Sequence, residues 1–418
     1  MVNKPKPKEE GRMNAGSVWS KFQDLGLREK LAIVVGVLAL PIIALLALQY
    51  ASGSADISTA EDEKAGVSYL KDGPIPVLQE VQRHRLLGAA VSAGDASLAA
   101  ELDRSTAGLD AALERYTKIE ADRGYGASDK IALLKEQWAS IKAGKDVTTT
   151  EGVINAHNRM VDEALLPLIF TAGNESKLFL DPKVATLDTV LATTQDLVNQ
   201  NEAVSRAAAY AAAVSGRLQK GLAASNILRD QVAAQVQAAR TTSDSLKRWL
   251  DGAMTADKSF ATRIRPAFEA SAIASKNFVD KVDIFANNAV ASSAGDDIVG
   301  RSATATDANY ALFNTNANVL VSELDSRIGS EQSSLALTMG LSAAAFAAAV
   351  VLAWFVSQSI TRPMAHLVAA ADRMSLGDLD AEIDYHGSNE VGKLADSLRR
   401  MQMSLKGAIE RLRSRRAA

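Results

Sequence analysis

The chain has 418 residues, 47% apolar and 5% aromatic, and no cysteine, which excludes disulfides, thiolate metal sites, iron–sulfur clusters and cysteine nucleophiles. Its 46 basic and 49 acidic residues give a net charge of -3, so no basic excess marks a nucleic-acid binder. Abundant alanine with only 9 prolines favours helix over a β-sandwich or barrel, and the length predicts two or three structural units.

Residues 1–30, with Lys4, Lys6, Lys8, Arg12, Lys21, Arg28 and Lys30, read as a basic cytoplasmic tail. Residues 31–48 are apolar and uncharged, and predict a first transmembrane helix over 31–52 with a tolerated Pro41. The long lead-in and apolar core fit a retained signal anchor better than a cleaved signal peptide. A second uncharged run, 335–356, predicts a transmembrane helix over 334–356, rich in small residues that permit close helix approach. Basic residues cluster before the first run and after the second, so both termini are expected in the cytoplasm. Residues 1–30 hold 7 basic and 4 acidic residues, and 357–418 hold 10 and 8. Against the overall -3, that leaves -8 for the stretch between them.

Residues 53–333 form the external region. Apolar residues recur at helical spacing: Ile75, Val77, Leu78, Val81; Leu187, Val190, Leu191, Leu197; Leu222, Ile227, Leu228, Val232, Val236; Leu312, Val319, Leu320, Leu324. Short breaks at Asp72-Gly73-Pro74, Gly94-Asp95, 124–128, 144–150, 171–174, Asp181-Pro182, Gly252 and 294–300 cut it into seven or eight helices. Asp95, Ser128 and Asp181 are expected N-caps. The alanines of 207–213 predict a tight helix contact. The expected fold is all-α: two stacked four-helix bundles anchored in a membrane.

After the second span, Met364, Leu367, Val368, Ala371 and Met374 make a helical stripe that ends at Gly377, and 379–385 follows as an extended connector. A heptad then begins, with Val391, Leu398, Leu405 and Leu412 at one position and Leu394, Met401 and Ala408 at the other. Such a seam needs a partner, so a homodimer forming a parallel four-helix bundle is expected. Residues 413–418 are a basic C-terminal tail.

Thr361-Arg362-Pro363, Gly377-Asp378-Leu379 and Asn389-Glu390-Val391-Gly392-Lys393-Leu394 resemble a HAMP domain, the linker of bacterial transmembrane receptors and sensor kinases; it would occupy 357–412. The resemblance implies that Pro363 starts its first helix and Glu390 its second, with Leu394, Leu398, Met401 and Leu405 relaying the signal. The external region resembles the helical sensor domains of methyl-accepting chemotaxis receptors, including the nitrate- and nitrite-sensing type. The resemblance rests on Gln82-Arg83-His84-Arg85 through Asp95, Leu178-Phe179-Leu180-Asp181-Pro182 through Asp188, and Ala311-Leu312-Phe313 through Ile328. It implies anion binding at Arg85.

From the residues themselves, Arg83, His84 and Arg85 are the ligand candidates, because two guanidinium forks within one turn suit a small anion. Asn174 and Lys177 are weaker candidates. No cofactor, metal site or catalytic group is indicated: His157 reads as a solvated helix histidine, and Glu61, Asp62 and Glu63 as a solvated helix face. The expected function is a transmembrane sensory receptor that detects a small external ligand and signals through HAMP to a separate cytoplasmic protein or to other receptors. Alternatives are a structural membrane protein whose external bundle binds an envelope partner, and the N-terminal fragment of a longer chemoreceptor. A chain ending at Ala418 leaves no room for a kinase-control hairpin, a kinase core or a cyclase.

Overall fold

The computed structural model describes residues 25–145, 147–223, 225–287 and 297–417. Most of the expected N-terminal tail, residues 294–296 of the break at 294–300 and the final residue of the C-terminal tail lie outside the described residues. The fold is all-α, with no strand among the described residues. One unit takes in the described residues up to Gly53 together with Ser333 onward; the other is Ser54–Gln332.

Helix α1 (Leu27–Asp72) and helix α11 (Ile298–Ser375) each run unbroken through one of the two apolar segments. Both are long and apolar enough to cross a membrane. Within 54–332 the chain continues as α2 (Pro74–Ala93), a 3-10 turn (Ala96–Leu98), α3 (Ala99–Arg123), α4 (Ser128–Lys142), α5 (Thr150–Met160) and α6 (Leu166–Glu175). Next come α7 (Val184–Leu191), α8 (Leu197–Gln219), α9 (Asn226–Ala256) and α10 (Lys258–Asn287). Single π-turns at Val161–Leu165 and Ala192–Asp196 join α5 to α6 and α7 to α8.

The breaks have local causes. Gly73 separates α1 from α2 because a Cβ there would lie 2.7 Å from the Tyr69 carbonyl and 2.9 Å from the Tyr116 ring, and Pro74 then starts the next helix. Gly124 closes α3 with a left-handed φ of 63°. Asp95 caps the following 3-10 turn by accepting from the Ser97 amide, as expected.

Four local expectations fail. The break expected at 171–174 falls inside α6, which runs on to Glu175. Ser128 is already inside α4, whose N-cap is Ala127. Asp181 accepts from the Lys183 amide at 2.7 Å, but the N-cap of α7 is Lys183. Gly252 does not break the chain, since α9 runs through it to Ala256; the roughly 1 kcal/mol that a mid-helix glycine costs is too small to stop a 31-residue helix.

The core of this unit gathers into two apolar clusters. One centres on Tyr69, Tyr116, Trp138, Met160, Phe260 and Phe313, the other on Val204, Val214, Val232, Phe278 and Phe285. Helix α8 is buried on nearly every side, with Ala207, Ala208, Ala209 and Ala211 at 0% exposure, so the small residues of 207–213 do make a tight contact. In the predicted α9 stripe, Leu228, Val232 and Val236 are buried, but Leu222 and Ile227 are exposed.

In the other unit, α11 ends at Ser375, Gly377 takes a φ of 93°, and α12 (Glu390–Ala417) follows the extended connector. Leu367, Ala370 and Met374 of α11 pack on Ile383 of the connector and Ala395 of α12, with Val391 and Leu398 alongside. Gln402 of α12 donates to the Leu379 and Ala381 carbonyls at 3.0 and 2.7 Å, fixing the connector.

Candidate functional site

Helix α2 carries three consecutive polar side chains pointing in three directions. Arg83 is exposed and paired with Glu101 of α3 at 2.9 Å. His84 turns toward α5, where its Nδ1 lies 2.8 Å from Nε2 of His157. Arg85 turns into the core and is fully buried.

The residue that receives Arg85 is Glu202 of α8. The guanidinium donates to both carboxylate oxygens, at 2.6 and 3.1 Å, and also to Asn158 Oδ1 and Ser205 Oγ, each at 2.8 Å. Glu202 further accepts from Arg206 Nε at 2.5 Å and from Gln82 Nε2 at 2.9 Å. Tyr310 of α11 donates to Gln82 Oε1 at 2.8 Å, which brings α11 into the same network. Burial alone would raise the Glu202 carboxyl; the charges and hydrogen bonds of Arg85 and Arg206 outweigh it and hold the group at about 2. Neutralised charge of this kind fixes the positions of the helices that carry it.

The two histidines form a second network. The Val153 carbonyl, 2.7 Å from His157 Nδ1, can only accept, so His157 carries its proton there and offers Nε2 to His84. The rings stack at 5.0 Å, and Trp138 meets His84 edge-on at 4.8 Å. Burial is the main cause that lowers His84 to about 4 and His157 to about 3, so both are neutral at neutral pH. The solvated reading of His157 is therefore corrected: the side chain is wholly buried.

Beside the Arg85 network lies a cleft of about 170 Å³ between α2, α3, α8 and α11. Gln82, Ser205 and Tyr310 line it and also belong to the buried network; Arg83, Glu101 and Asp307 line it as well. Asn174 and Lys177 are not among the lining residues. Lys177 instead pairs with Asp62 of α1 at 3.0 Å, and Asn174 gives its carbonyl to the Lys177 amide. Sequence reasoning missed Glu202, Arg206 and Tyr310. The available signal was a lone acid–base pair four residues apart in α8, just before its Ala-rich run.

Along α12, Asn389 caps the helix by accepting from the Gly392 amide at 3.0 Å, and Glu390 is its first residue, as expected. Pro363 does not start a helix but lies inside α11; its missing N–H removes one backbone bond, which a helix of 78 residues tolerates. Of the expected seam, Leu398 packs within its own chain's cluster, whereas Leu394, Met401, Leu405 and Leu412 are exposed.

The molecule is thus an all-helical chain with two helices fit to span a bilayer and an α11–connector–α12 unit behind the second. Residues 355–407 match the model of the HAMP domain, and the chain carries a HAMP domain there. A putative sensory transducer protein of Acetivibrio thermocellus is 42% identical over 53 residues, 13% of this chain and 10% of that protein. The methyl-accepting chemotaxis protein TlpB of Bacillus subtilis is 37% identical over 59 residues, 14% of this chain and 9% of its own length. The chain therefore matches about a tenth of the length of these relatives. Among solved structures, that of the NasR transcription antiterminator aligns over 87% of this chain and 95% of its own, at 15% identity and a TM-score of 0.46, a level that carries no functional argument.

Proposed function

We propose that the chain is a transmembrane sensory receptor of the inner membrane, with both termini cytoplasmic. A small ligand enters the cleft beside Arg83 and Tyr310, and α11 conveys the change to HAMP and from there to a separate signalling protein. The observation that carries this reading is the continuity of α11. One helix, Ile298–Ser375, holds Asp307 and Tyr310 of the cleft, the second apolar segment and the first HAMP helix. A ligand moves such an element only by binding two of its positions with different affinity. The basic flanks of the apolar segments support the orientation.

A small anion, the ligand class suggested by the two arginines, would meet Arg83 first and could reach Arg85 only by displacing Glu202. Nitrate and acetate, added to the full chain in nanodiscs, are expected to raise its thermal midpoint, and Arg83→Ala is expected to abolish the shift. A shift that survives in Arg83→Ala would place the ligand elsewhere.

Dimerisation follows from the apolar face that α12 leaves exposed. Met401→Cys is expected to form a disulfide between two copies in membranes, and Leu405→Lys in the same chain is expected to reduce the yield about tenfold, since it charges the seam. Purely monomeric Met401→Cys protein would overturn the dimer.

A further inference from the structure

Glu63 of α1, grouped by sequence with a solvated acidic face, is in fact fully buried. Two elements distant in sequence meet it. Arg327 of α11 donates through one guanidinium nitrogen to Glu63 Oε2. Its other terminal nitrogen lies 3.2 Å from Asp181 Oδ2, in the turn before α7. Asp181 is itself buried, and its Oδ1 is occupied by the Lys183 amide. Two buried carboxylates therefore share one guanidinium.

The hydrogen-bond account does not close. Glu63 Oε1 and Asp181 Oδ2 are both buried and neither receives a hydrogen bond. Two acceptors facing one cation cannot satisfy each other while both are ionised; one proton between them would supply the missing donor and cancel the surplus negative charge. The other charged groups nearby are already paired with each other at the surface: Lys64 with Asp325 at 2.5 Å, and Lys177 with Asp62 at 3.0 Å. On α1, Gly66 packs against Ser176 and brings no charge.

We propose that Glu63, Asp181 and Arg327 form a proton-binding site, and that external acidity is an input to this molecule separate from any ligand in the cleft. With the proton bound, the cluster is neutral and holds α1, α11 and the Asp181 turn together. With the proton lost, a buried negative charge is left uncompensated and α11 loosens from Glu63. The titration belongs to the pair of carboxyls rather than to either one. Burial first, and the neighbouring Asp181 charge second, raise the Glu63 carboxyl to about 7, which places the change in the neutral range. Both helices that meet at the site are the ones that run through the apolar segments, so the proton acts on the elements that would carry a signal.

The test uses the full chain in nanodiscs. Infrared difference spectra are expected to show a protonated carboxyl that disappears with a midpoint near neutral pH and is absent from Glu63→Gln. The rate of Met401→Cys crosslinking, divided by that of the Glu63→Gln background at the same pH to remove the thiol's own titration, is expected to change about threefold between roughly pH 6 and pH 8. Asp181→Asn serves as the second variant should Glu63→Gln fail to fold, and it should flatten the same response. A carboxyl that titrates only in the ordinary acidic range, or a crosslinking response to pH that is the same in the unaltered background as in both variants, would overturn the proposal. Crosslinking that still responds to nitrate or acetate but not to pH would remove the proton input and leave the receptor reading standing.

Discussion

Arg85→Met is expected to destabilise the 54–332 unit by about 3–5 kcal/mol, a large share of the roughly 5–15 kcal/mol that keeps a domain folded. The cause is the carboxylate left behind. Glu202 is almost wholly buried and accepts four hydrogen bonds, two of them from Arg85. Removing the guanidinium strips the charge that offsets its burial, while Asn158 and Ser205 lose their donors. Glu202→Leu alone should be similarly harmful, because it strands Arg85. The double variant Arg85→Met/Glu202→Leu should recover more than half of the loss, since replacing both partners of a buried pair by apolar groups is often close to neutral. Urea titration of the full chain in detergent, followed by tryptophan fluorescence, gives the double-mutant cycle. Small and additive effects would mean that the pair is not the fixed structural joint that its geometry describes. The same cycle separates two roles for Arg85, because a residue kept only to capture a ligand would leave stability unchanged when replaced.

How far the sequence could be read depended on whether the relevant residues lie close together along the chain. The apolar segments and the HAMP motif are contiguous, so composition and spacing reveal them without any knowledge of packing. The cap at Asn389 and the turn at Gly377 are equally local. The buried charges are not. Asp62 and Glu63 are neighbours in sequence, but a helix turns 100° per residue, so Asp62 is half-exposed while Glu63 is sealed. Only the distant Arg327 and Asp181 decide which of the two is buried. Arg83 and Arg85 likewise look like one anion fork in sequence, yet they sit on different faces of α2, one at the surface and one in the core. The heptad of α12 was legible as a pattern, but not how its residues divide. Leu398 closes the chain's own α11–α12 contact, and Met401 and Leu405 are left for another surface.

Stability is expected to peak slightly on the acid side of neutrality and to fall on both sides, with the steeper loss toward acid caused by two histidines. The sign follows from proton binding. His84 and His157 titrate at about 4 and about 3 in the folded chain against an ordinary 6.5, because burial disfavours the imidazolium at both and His84 lowers His157 further. Below pH 6.5 the unfolded chain therefore binds more protons than the folded one, and stability declines as pH falls. By pH 4 the loss should be on the order of 3 kcal/mol, allowing for the coupling of the two rings. Glu63 works in the opposite direction: its raised carboxyl contributes stability in full below the ordinary carboxylate value of 4.5, and the contribution disappears as pH rises through about 7. Glu202, held at about 2, adds a separate acid loss that begins only below 4.5. Between 4.5 and 6.5 the Glu63 and histidine contributions overlap with opposite signs, so a variant is needed to separate them. His157→Asn can keep both hydrogen bonds, donating to the Val153 carbonyl and accepting from His84, while removing one titrating ring. Urea midpoints measured every half unit from pH 4 to pH 8 should lose most of their slope between 6.5 and 4.5 in that variant, because the remaining histidine and Glu63 then nearly cancel, and keep the alkaline fall unchanged. An acid limb as steep in His157→Asn as in the unaltered chain would show that the loss originates in other groups, and that the stacked pair does not set the lower edge of the stable range.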